Sequence, residues 1–171
     1  MPAGLKASSA PVAIGFNVTE TAANTFGQTQ VDLNLSPLDR EVFVVLAANL
    51  DCFTPDVIAG TTSQVAASLT TTSQTAVSNL SNSNCISRAD NIIRMGAGSV
   101  EGVPFATGFF ETPTGIGLEY VAIIATNDFF VQCQGTANTS AKQVNGKLYG
   151  YRARATADIY AALVQSEVLS A

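Results

Sequence analysis

The sequence predicts an all-β fold, a β-sandwich of about eight to ten strands with a short C-terminal helix. Three observations carry this reading. Several short runs alternate apolar with small or polar residues, two longer runs are continuously apolar and β-branched, and Gly, Pro, Asn and Asp separate them at short intervals. The 171 residues fit one domain spanning 1–171, with 1–11 as an N-terminal arm and 156–170 as the helix.

The first run places Val12, Ile14, Phe16 and Val18 on one face, the period of a half-buried strand. Asn24 and Gly27 then mark a turn. Val31, Leu33 and Leu35 alternate again until Ser36-Pro37 stops the run. Residues 41–50 are apolar almost without a break, as a central strand covered on both faces requires. Residues 61–84 are dominated by Thr, Ser, Asn and Gln. Val65, Ala67 and Leu69 alternate there, so the segment reads as two exposed strands joined near Thr72-Ser73, or as one strand and a loop.

Residues 85–95 fit a strand or a short helix, ended by Gly96 and Gly98. Residues 103–110 read as a strand at a sheet edge because Pro104 lacks a backbone donor. Residues 111–115 form a turn. The apolar run 118–125 and the run 129–134, split by Thr126-Asn127-Asp128, read as a hairpin. A polar loop 135–145 leads to a last strand, 146–154, with Tyr149, Tyr151 and Ala153 on one face and Arg152 and Arg154 on the other. The period then changes. Thr156 is the expected N-cap of a helix over 157–169, with Asp158 near its positive end and Ile159, Ala162, Leu163 and Ser166 at helical spacing. The strand count suits a jelly roll, although composition does not separate it from an immunoglobulin-like sandwich.

Composition bounds the function. Hydrophobic residues make up 47% of the chain and charged residues 12%, about half the usual charge content of roughly 25%. Ser, Thr, Asn and Gln, roughly 30% of the chain, take the place of charge. A neutral polar exterior is poorly protected against self-association, which points to a surface covered by sister molecules. The net charge is −5 and only 8 residues are Lys or Arg, too few and too scattered for direct nucleic-acid binding. Met1–Gly15 contains one Lys and no signal-peptide core, and no apolar run reaches membrane-spanning length. The expectation is a chain made in the cytoplasm, with no membrane insertion. Asn-x-Ser/Thr triplets begin at Asn17, Asn34, Asn79 and Asn138, a number expected from so much Ser and Thr.

The chain has no His, which removes Ser–His and Cys–His centres, histidine metal sites and histidine bases. Cys52, Cys85 and Cys133 are widely spaced and form no CxxC pair, so they read as apolar thiols, with one disulfide at most. Carboxylate pairs, Glu111 with Glu119 or Asp51 with Asp56, have the chemistry of glycoside hydrolysis, but the chain has no Trp to stack a sugar, and solvated surface carboxylates are by far the better reading. Thr126-Asn127-Asp128, or Asp51 with Asp56, offers oxygens to calcium without EF-hand spacing. Asp39-Arg40-Glu41 reads as a solvated or locally paired turn. No catalytic, cofactor-binding or metal-ligating residue is predicted.

The segments LDREVFVV (38–45), ATNDFFV (125–131) and KLYGYR (147–152) together resemble the single jelly-roll coat proteins of tailless icosahedral viruses. The likeness is one of overall pattern and runs over most of the chain. It implies many copies tiling a closed shell, located in the virion alongside other virion proteins, without catalysis. Many such proteins carry an Arg-rich N-terminal arm, whereas residues 1–13 hold only Lys6. The resemblance then implies a genome held by another component or by an internal membrane. The leading expectation is therefore a self-assembling capsid subunit, with the termini, residues 61–84 and loop 135–145 as contact elements. The alternatives are a lectin- or adhesin-like binding module and a filament or surface-layer subunit.

Overall fold

The computed structural model describes residues 4–95, 105–109 and 118–170. The strands are β1 (Leu5–Ala7), β2 (Val12–Thr19), β3 (Gly27–Asp32), β4 (Glu41–Cys52) and β5 (Ser63–Thr70). After these come β6 (Cys85–Arg94), β7 (Phe105–Phe109), β8 (Ala122–Ile124), β9 (Asp128–Thr136) and β10 (Gln143–Ala155), and then the helix α1 (Ala157–Leu169). They form two five-stranded antiparallel sheets. Sheet A runs β1-β10-β4-β8, with β2 on the same edge of β10 as β1; sheet B runs β3-β9-β5-β6-β7. The partners are nested: β2 with β10, β3 with β9, β4 with β8, β5 with β6. Successive pairs alternate between the sheets, as when one long ribbon is rolled up from its β5–β6 tip. This is a jelly-roll order and not the immunoglobulin one.

Alternation decides which side chains meet between the sheets. Ile14, Leu148 and Ala48 share a register row, as do Val18, Val144 and Cys52. Phe129, Val131 and Cys133 of β9 and Val65, Ala67 and Leu69 of β5 face them from sheet B. Phe16 crosses the gap and meets Phe129 edge-on, with ring centroids 5.6 Å apart. In β4 the inward parity switches: Phe43 and Val45 precede Leu46, and Ala48, Leu50 and Cys52 follow it. Leu46 is the extra residue of a β-bulge, because Tyr149 pairs with Ala47 while Gly150 pairs with Val45. Val42 and Val44 turn outward into a second cluster with Leu5, Ala153 and Ala155, which α1 covers with Ile159, Tyr160, Leu163 and Val164. β4 is thus buried on both faces only where the helix lies.

Several expectations are corrected. The strand expected over 31–35 begins earlier and ends at Asp32. Leu33 and Leu35 are buried all the same, and their amides donate to the Asn127 carbonyl (2.7 Å) and Oδ1 (2.6 Å). Their alternation recorded burial without a ladder. The hairpin over 118–134 does not form. β8 keeps three residues and pairs with β4 in sheet A, whereas β9 lies in sheet B. Residues 125–127 cross between the sheets because Glu167 and the Leu33–Leu35 backbone occupy their polar groups. Residues 61–84 form one strand and a loop, and β5 is buried within sheet B, not exposed. Residues 85–94 are strand, and β7 is an edge strand as expected. The α1 boundaries agree with the sequence, but Thr156 makes no side-chain cap, and the buried face includes Tyr160, Val164 and Glu167 in place of Ala162 and Ser166. The Gly96 and Gly98 turn and the turn at 111–115 lie outside the described residues.

Two glycines of β10 hold the packing. A Cβ at Gly150 would lie 2.3 Å from the Val44 carbonyl oxygen and 2.5 Å from the Phe43 ring, while one at Gly15 meets nothing within 4 Å. Gly150→Ala is therefore expected to lower stability by about 1–3 kcal/mol, as overpacking does, and Gly15→Ala to change it little. Urea denaturation of both variants checks the contrast.

Candidate functional site

Much of the polar content lies inside the fold. The outer face of sheet B carries Gln132, fully buried, which accepts from Ser68 Oγ (2.7 Å) and donates to Thr70 Oγ1 (2.7 Å) and Gln28 Oε1 (3.1 Å). The loop 71–84 closes over this row. Its Gln74 and Ser78 amides bond Gln28 and Ser68, and Arg88, paired with Asp90 at 2.8 Å, holds the Ser78 carbonyl and Asn79 Oδ1. Hydroxyls and amides suit this role because each both donates and accepts, so a buried row is satisfied without charge. The loop 137–142 is tied down as firmly. Lys142 pairs with Asp56 at 2.5 Å, Thr139 donates to the same carboxylate, and buried Glu20 accepts the Gly135 and Lys142 amides. These two expected contact segments are largely occupied within their own chain.

Several surfaces stay open among the described residues, and two of them bear on function. The first is the half of sheet A beyond α1, where the register places Ala13, Tyr149 and Ala47 in one row, Gly15, Lys147 and Asn49 in the next, and Asn17, Asn145 and Asp51 in a third. Most of these side chains are exposed, and Phe53 stands exposed beyond the last row. A hollow of about 370 Å³ lies on this face, lined by Asn49, Leu50, Asp51, Asn145, Gly146 and Lys147. The second is a slot of about 270 Å³ where the β8 side of sheet A meets the start of β6 and the last turn of α1. Its polar lining is Thr71, Ser83, Asn84, Cys85, Ser166, Glu167 and Ser170, and its apolar walls come from β6, β8 and α1.

Glu167 is the unusual member. Although 7% exposed, it accepts the Ala125 amide at 2.9 Å and the Thr126 amide at 3.0 Å, fixing α1 to the crossing between the sheets. Burial pushes its pKa above the ordinary value, and the two amides together with the Thr126 hydroxyl only partly oppose that. Asp56 is the reverse case, held well below the carboxylate range first by the hydrogen bond from Lys142 and then by Thr139.

The carboxylates named from sequence do not assemble a catalytic pair among the described residues. Asp51 is exposed on the sheet A face, Asp56 is committed to Lys142, and Glu111 lies outside the described residues. Asp128 accepts from Gln30, and Asn127 is spent on Leu35, which leaves no calcium loop at 126–128. No group of three or more His, Cys, Asp and Glu able to hold a metal occurs among the described residues. Arg152 donates to the Leu33 carbonyl at 2.8 Å, and Arg154 lies 3.8 Å from Asp39 in an exposed pair. Asp39 also accepts from Ser36, and Glu41 from Ser8 and Ser36, so the 39–41 turn is locally paired. The cysteines are free; Cys52 and Cys133 are buried in the core with thiols pushed up to about 12 by burial. No helix among the described residues is long and apolar enough to cross a membrane. No family model, curated protein or solved structure matches the chain.

The two carboxylates act oppositely with pH. Asp56 contributes stability above its unfolded pKa of about 3.9, and that contribution is lost as pH falls towards its lower folded value. Glu167 contributes below its unfolded pKa of about 4.3 and loses that contribution as pH rises through its higher folded value. In thermal melts across acidic pH, Lys142→Met is expected to flatten the acid-side loss and Glu167→Gln the opposing trend. Native alkylation with iodoacetamide is expected at half-buried Cys85 alone, with Cys52 and Cys133 labelled only after unfolding, as peptide mass mapping reads directly.

Proposed function

We propose that the chain is a structural protein that assembles in many copies, a capsid subunit of a virion shell. The observation that supports this reading is the uncovered half of sheet A. Three adjacent strands there present flat rows of Ala, Gly, Asn and Tyr, with Lys147 and Asp51 the charges of those rows. Such a face has little charge to keep a second copy away and a central aromatic to bury against it. Large apolar side chains exposed elsewhere, among them Leu38, Leu80, Leu118 and Leu169, add area at roughly 25 cal/mol per Å² buried. The jelly-roll order is compatible with this role and with many others, so the fold contributes only by analogy. In this reading the subunit performs no chemistry. Its mechanism is repeated burial of one patch across a symmetric assembly.

The hollow on the same face favours a second reading. Amides, a carboxylate and Lys147 converge there, with Tyr149 and Phe53 exposed at either end. That arrangement suits a binding module for a polar ligand such as a glycan.

Size-exclusion chromatography with light scattering, followed by negative-stain microscopy, separates the readings. Closed particles or large discrete oligomers are expected, with Tyr149→Glu shifting the population towards smaller species. A monomer at every concentration in native buffers would end the capsid reading. Open fibres would favour a filament subunit instead.

A further inference from the structure

We propose that the slot between β8, the start of β6 and the last turn of α1 binds an organic cation, with Glu167 as counter-ion to its ammonium or guanidinium group. The slot is distinct from the open face of sheet A, and the inference holds whether or not the chain assembles.

One polar group there lacks what burial normally demands. Glu167 is a buried carboxylate with no Lys or Arg in ion-pair contact among the described residues. The Ala125 and Thr126 amides each occupy one of its oxygens, the Thr126 hydroxyl also favours the charged form, and a carboxylate with about four lone-pair sites still has room for a further donor. Thr71 borders the same slot, and its hydroxyl oxygen, closed to solvent, has no hydrogen-bond partner among the described residues. Leaving a buried charge without a counter-ion is costly. Both residues line the same cavity.

The lining then selects the ligand. Among the described residues no Lys or Arg lines the slot, so a phosphate or carboxylate would meet Glu167 without compensation. The other titratable groups facing Glu167 point the same way: Asp128 adds negative potential, and the Cys85 thiol lies within the cavity wall. Ile86, Val121, Ala122, Ile123 and Leu163 supply an apolar surface suited to methylene groups and unsuited to a hydrated inorganic ion. A volume of about 270 Å³ is at the small end of ligand pockets, which run from about 300 to 1,000 Å³. It admits a small alkylammonium or one basic side chain and excludes a nucleotide. Ser83, Asn84, Ser166 and Ser170 offer further acceptors at the mouth.

The test is calorimetric titration of the full chain with putrescine and with guanidinium at millimolar concentration, below any denaturing range. Binding is expected to weaken about tenfold in Glu167→Gln, and to stay unchanged in Asp51→Asn on the far face. It should also weaken as pH falls through the raised pKa of Glu167, because the protonated acid carries no charge. Bound putrescine should slow alkylation of Cys85, a readout that needs no variant to fold. If the natural cation is a basic side chain of a second copy, putrescine and Glu167→Gln will both dissociate oligomers. If it is a free amine, the oligomeric state will not respond. Absence of binding by both probes, or equal binding by the parent chain and Glu167→Gln, would overturn the proposal.

Discussion

Strand β10 is hydrogen-bonded along both edges, to β4 through almost its whole length and to β2 and then β1 on the other side. A strand placed this way has no backbone left for solvent; its side chains face the core on one side of the sheet and, from Tyr151 onward, α1 on the other. At two inward positions it omits side chains. A Cβ at Gly146 would stand 2.5 Å from the Phe16 ring, and one at Gly150 would stand 2.5 Å from the Phe43 ring. The rings lie against bare backbone, and Phe16 reaches across to Phe129 of the opposite sheet. Closure of the roll follows, because β2 and β4, distant in the chain from β10, are drawn to it from either side. The helix follows too. Chain leaving β10 after Ala155 emerges beside Leu5 and Val42, and α1 folds back over that face of sheet A.

The abundance of Ser, Thr, Asn and Gln has two explanations, and the structure divides the residues between them. Ser63, Ser68, Thr70, Ser78, Asn84, Gln132 and Asn138 are buried and form the network that fastens the loops 71–84 and 137–142 to the sheets. For these the neutral side chain is an interior requirement, since an unpaired charge at the same depth would cost several kcal/mol. Asn17, Asn49 and Thr19 are exposed on the other sheet. Only exposed residues of this second kind bear on contacts with other molecules, and those on the half of sheet A that α1 leaves bare share one flat face.

The brevity of β8 links the fold to the slot. With three residues it cannot extend sheet A along the whole of β4, so the sheet ends in a step facing the start of β6. α1 reaches this step with its last turn, and Glu167 satisfies two amides at the crossing that a longer strand would have paired. The carboxylate is therefore a structural clamp on one side and an unneutralised charge on the other. That duality gives the cavity its chemical preference.

Local pattern determined a good deal. The alternation of Val12, Ile14, Phe16 and Val18, the apolar run behind Glu41 and the change of period at Thr156 were readable because side-chain direction in a strand or helix depends on nearest neighbours alone. The missing His and the scattered charge likewise bounded the chemistry. Only tertiary structure decided that Leu33 and Leu35 are buried without a ladder, that 118–134 crosses between sheets where a hairpin was expected, and that Leu46 bulges to reverse the parity of β4. It also decided the slot, for which Thr71, Cys85, Val121 and Glu167 come from four separated stretches of chain. Nothing near Glu167 in sequence marks it as special: it sits in a polar turn between Ser166 and Val168. Its burial is imposed by the backbone amides of Ala125 and Thr126, some forty residues away, and long-range pairing of that kind leaves no trace in local periodicity.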